Sequence, residues 1–153
     1  MTPPPLGDKF PEDSKEQFCD RNIRPGAVLR FYVHDTSPPK IKMFLILGIN
    51  NNASSVGCLY INSEINPNVI SSQELMNLQF RMSCADNKFL EYDSFLDCSH
   101  IYEKDMSVVR EHLRADISIF KGQLPDDIMD AIKSLTASAR TILHKLKIKY
   151  GLI

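Results

Sequence analysis

Two apolar runs joined by a polar turn limit most sharply what this chain can become. "KIKMFLILGI" (40–49) and "VGCLYIN" (56–62) each have a strand's length and flank "NNNASS". The pattern predicts an antiparallel hairpin. Met43 to Leu47 include no polar residue, which predicts a strand buried on both faces. Lys40 and Lys42 enter the first run, and Asn62, Ser63 and Glu64 leave the second. In an antiparallel pair the start of one strand lies beside the end of the other. The hairpin can therefore gather a cation and a hydroxyl at its open end, with Lys42 near Asn62 or Ser63; the plainer alternative is that Lys40 and Lys42 protect an edge and "NSEIN" turns the chain.

Other segments read as short elements around this hairpin. "RPGAVLRFYVH" opens on a Pro-Gly turn and continues as a β-branched and aromatic strand. "FRMSC" and "NKFLEYDSFLDCSHIY" predict two or three more strands, while 104–120 fits helix and strand equally. Ser71 with Glu74 forms a capping box for a short helix. Near the C-terminus, Ile128, Ile132, Leu135, Ala139, Ile142 and Leu146 fall at helical spacing. Pro125, Asp126 and Asp127 suit the start of that helix, Lys145 and Lys147 its end, and Gly151 stops it. "PEDSKEQFCDRN" predicts a short helix, and residues 1–11 are Pro-rich and expected to be extended or disordered. The expected layout is a leader over 1–23 and one domain over 24–153. That domain is α+β, mainly β: five to seven strands in a small barrel or rolled sheet with a long C-terminal helix.

Length and charge bound the function. A chain of 153 residues suits one domain and can bury a core without a metal or disulfide staple. Cys19, Cys58, Cys84 and Cys98 are widely spaced, with no CxxC pair. No apolar run approaches a membrane span, and the N-terminus lacks a basic segment followed by an apolar one. A cytoplasmic protein with reduced thiols and no membrane partner is expected. Net charge is −1, but its distribution is uneven. Residues 21–42 hold five basic groups against one acid and 131–153 hold five more against none, so these segments carry +9 and the remainder −10. If they met, they would make a field that attracts phosphate.

Most catalytic patterns are missing. There is no GxxxxGK[ST], no GxGxxG and no GxSxG. Cys98 and His100 lie two apart with no second pair of ligand types, which reads as a structural cysteine and a surface or half-buried histidine rather than a metal or nucleophile site. Metal-free phosphodiester chemistry stays open. RNA carries its own nucleophile in the 2′-hydroxyl, so the protein need only position the strand, move protons and stabilise charge on phosphate oxygens. With no Trp in the chain, any base stacking would fall to Phe or Tyr.

Several stretches resemble the PemK/MazF-like toxin family. "RPGAVLRFYV" is similar to its opening Gly-then-strand, and "PPKIKMFLIL" resembles its second strand. "LYINSE" stands where the family closes its third strand with Thr or Ser. "YDSFLDCSHIY" and "FKGQLPDDIMDAI" resemble its late strand and final helix. The resemblance spans about residues 24–137. It implies an SH3-like barrel, commonly dimeric, that cuts single-stranded RNA without metal or cofactor and is paired with an antitoxin protein. The family's catalytic Arg and Thr/Ser would match Lys40 or Lys42 and Ser63, with His34 as a proton carrier and Arg30 and Asn62 as RNA contacts. Two features depart from the pattern: lysine replaces arginine, losing a bidentate phosphate contact, and Glu64 adjoins Ser63. The alternative implied is a non-catalytic SH3-like module that binds a protein partner or RNA.

Overall fold

The computed structural model describes residues 12–34 and 38–153. The expectation for residues 1–11 lies outside the described residues. Helix α1 (Glu12–Asn22) leads into β1 (Ala27–Val33), β2 (Lys40–Ile49) and β3 (Ser55–Asn62). Then come α2 (Gln73–Asn77), β4 (Gln79–Met82), β5 (Ser94–Asp97), β6 (Tyr102–Asp105), α3 (Met106–Ala115), β7 (Phe120–Gln123), α4 (Asp126–Ser138) and α5 (His144–Lys149). The strands make one antiparallel sheet in the order β4-β5-β3-β2-β1-β7, with β6 also paired to β3. It curls into a half-barrel, so the fold is mixed α+β, as the sequence predicts.

The hairpin is the centre of the sheet. Its register sets Met43 opposite Ile61, Phe44 opposite Tyr60 and Leu45 opposite Leu59. Alternation then divides the side chains between two cores. Val28, Leu45, Leu47, Leu59 and Ile61 face Met129, Ile132, Ile142 and Tyr150 of the C-terminal segment. Leu29, Phe31, Phe44, Ile46 and Cys58 face Cys19, Ile23, Val109 and Leu113 of the α1 and α3 segments. Helices on both faces explain why Phe44 to Leu47 are fully buried. At the closed end, the Asn50 side chain accepts from the N–H groups of Ser54 (2.9 Å) and Ser55 (3.0 Å), fixing the turn.

Three details differ from expectation. Ser72, not Ser71, caps α2, its hydroxyl accepting from Leu75 N–H at 3.1 Å. Strand β7 lies where the sequence gives no strand signal. It is four residues long and carries Gly122 because the Phe89 ring packs there: a Cβ would stand 3.0 Å from it. Finally, the long C-terminal helix is two helices, and Ile128 is exposed while Met129 and Thr136 are buried. The break follows from hydroxyls that compete for helical carbonyls: Thr136 donates to Ile132 O (2.7 Å) and Ser138 to Leu135 O (2.6 Å), while Thr141 donates outward to Ser99 O.

Candidate functional site

The open end of the hairpin borders a groove of about 1020 Å³. Arg30, Lys40, Lys42, Asn62 and Ser63 all line it. Continuing the register places Lys42 opposite Asn62, and the Lys42 ammonium donates to Asn62 Oδ1. Lys42 also sits 5.6 Å from the Tyr60 ring centroid. It is half-buried where Lys40 is exposed. Burial lowers the Lys42 pKa, the neighbouring Lys40 lowers it further, and Asp97 opposes both. Ser63 is exposed one residue beyond β3, and Arg30 is exposed on β1 opposite Met43. His34 is not brought into the group. It is exposed past the end of β1, its ring edge-on to Tyr32 at 5.0 Å, and does not line the groove.

Other groove residues escaped sequence reasoning. Lys121 enters from β7, beside a register shift between Val28 and Leu29 on β1. Asp97 enters from β5, one of its oxygens accepting from Gln79 Nε2 (3.0 Å), Ser99 N (3.0 Å) and Ser99 Oγ (2.5 Å). Its signal was the Asp-x-Ser spacing: Asp116 with Ser118 closes the same turn before β7. Tyr92 lines the groove from the β4–β5 loop.

The rejected cysteine chemistry stays rejected on geometry. Cys98 is fully buried and desolvation pushes its thiol up to about 12, while His100 is exposed and rests against Tyr102 at 4.3 Å. Among the described residues no group of three or more His, Cys, Asp or Glu could hold a metal ion. Among them, too, no helix is long and apolar enough to cross a membrane. No protein-family model matches the chain, and no curated protein matches it.

Proposed function

We propose that the groove binds single-stranded RNA and cleaves it without a metal, making this a toxin-like endoribonuclease. The observation that carries the reading is Lys42: a half-buried cation held by Asn62 in one groove with Arg30, Lys40 and Ser63. In the reaction the 2′-oxygen attacks the adjacent phosphorus and the bond to the 5′-oxygen breaks. The products are a 2′,3′-cyclic phosphate and a 5′-hydroxyl. The 2′-hydroxyl proton leaves to water. Lys42, made more acidic by burial, hands a proton to the departing 5′-oxygen and is recharged from water. Lys40 balances charge on the phosphate, and Ser63 donates to a phosphate oxygen. Arg30 and Asn62 hold the strand and Lys42 respectively. His34 is assigned no step. An antitoxin partner and a homodimer rest on the family resemblance alone, and a cytoplasmic setting on the sequence pattern alone.

A second reading is favoured by one feature: the carboxylates of Glu64, Glu91 and Asp97 share the groove. They suit a module that binds RNA or a protein partner without cutting. A long unstructured RNA incubated with the protein in EDTA separates the two. Cleavage is expected, and Lys42→Ala and Ser63→Ala, each checked for folding, should lower its rate by about a hundredfold or more. Binding without cleavage would establish the module instead.

A further inference from the structure

The groove has two chemically different sides. Its four cations, Arg30, Lys40, Lys42 and Lys121, all stand on strands β1, β2 and β7. The residues after β3 and the β4–β5 loop supply instead Glu64, Glu91 and Tyr92. Tyr92 is 67% exposed, yet its backbone is pinned. Ser94 Oγ donates to its carbonyl at 2.9 Å. The adjacent Asp93 accepts from Cys84 N–H at 2.9 Å and from Arg81 at 3.1 Å. The same loop reaches β7 through Phe89 and Gly122. An open ring on a fixed backbone is a stacking surface at reduced ordering cost.

We propose that this groove fixes the orientation of a single strand: phosphates lie on the strand cations, and one unstacked base lies on the Tyr92 ring. The proposal rests on the RNA reading above and adds its base subsite. Carboxylates on the loop side repel phosphate and so reinforce the same orientation. A duplex, its bases paired and stacked, cannot offer a face to Tyr92.

The test uses a 2′-O-methyl oligonucleotide of unstructured sequence, which cannot be cut, and its abasic counterpart. Because the chain has no Trp, Tyr92→Trp introduces a single indole. Its fluorescence should be quenched on binding. Tyr92→Ala should weaken binding about tenfold to a hundredfold, while the abasic strand binds the variant and the unmodified protein alike. Equal binding of the base-bearing strand by both proteins, with no quenching, overturns the subsite and leaves the RNA reading standing. Failure of the unmodified protein to bind either strand overturns both.

Discussion

Lys42 shows how one residue can be costly to the fold and useful to the site. Burial holds its pKa below the usual lysine value, so between the folded and unfolded pKa values the folded chain binds fewer protons. Stability should therefore rise as pH climbs through that window, and the cost of the buried charge is fully present below it. Lys42→Met keeps the stem and removes the charge. It should be at least as stable as the unmodified protein at neutral pH, lose the alkaline rise, and lose RNA binding; urea unfolding at pH 7 and pH 10 checks the first two. Gly57 is a residue of the opposite kind. A Cβ there would lie 2.8 Å from the Tyr150 ring and 3.1 Å from Ile101, so Gly57→Ala should cost about 1–3 kcal/mol. The Lys42–Asn62 pairing was legible because hairpin register follows from two apolar runs and one turn. Tyr92 was not, because nothing local marks an exposed tyrosine as facing a groove assembled from seven strands and two loops.

At the scale of elements, the C-terminal segment behaves as a latch. Tyr150 packs over Gly48 and Gly57, and its hydroxyl meets Ser55 (3.0 Å) and Glu103 (2.7 Å). Lys149 and Tyr150 hold the Glu103 carboxyl below its ordinary value of 4.5 by hydrogen bonding. The stabilisation this gives is present above that value and is lost as pH falls through the lower folded one. Tyr150→Phe should cost about 1 kcal/mol at pH 7, and acid unfolding should begin at a higher pH. Denaturant midpoints between pH 7 and pH 3 measure both. The helical stripe was readable from spacing, but its break was not: Thr136, Ser138 and Thr141 are tolerable helix residues until their hydroxyls find carbonyl partners. β7 was hidden for a related reason, since a four-residue edge strand takes its identity from pairing with β1.

Across the whole molecule, none of the basic residues of 131–153 lines the groove. Gly48 lies against Tyr150 at the closed end of the hairpin, and Lys42, six residues back along β2, is about 20 Å away. Arg140 is paired with Glu74 (2.8 Å) and Lys149 with Glu103 (2.7 Å). Charge counted along the sequence therefore overstates the field at the groove, which rests on the four strand cations. With about 0.7 counterions released per phosphate on a single strand, log Kobs should fall against log salt with a slope near −3. A slope beyond about −5 would place much of the RNA elsewhere. The α+β half-barrel was legible because alternation and turns are local, whereas the groove depends on which strand ends the curl brings together. The most direct test of the central claim compares one unstructured oligoribonucleotide with its all-deoxy counterpart, in EDTA. The account predicts cleavage of the RNA alone, leaving a 2′,3′-cyclic phosphate and a 5′-hydroxyl. Equal cleavage of both strands, or none of the RNA at concentrations where it is bound, would contradict it.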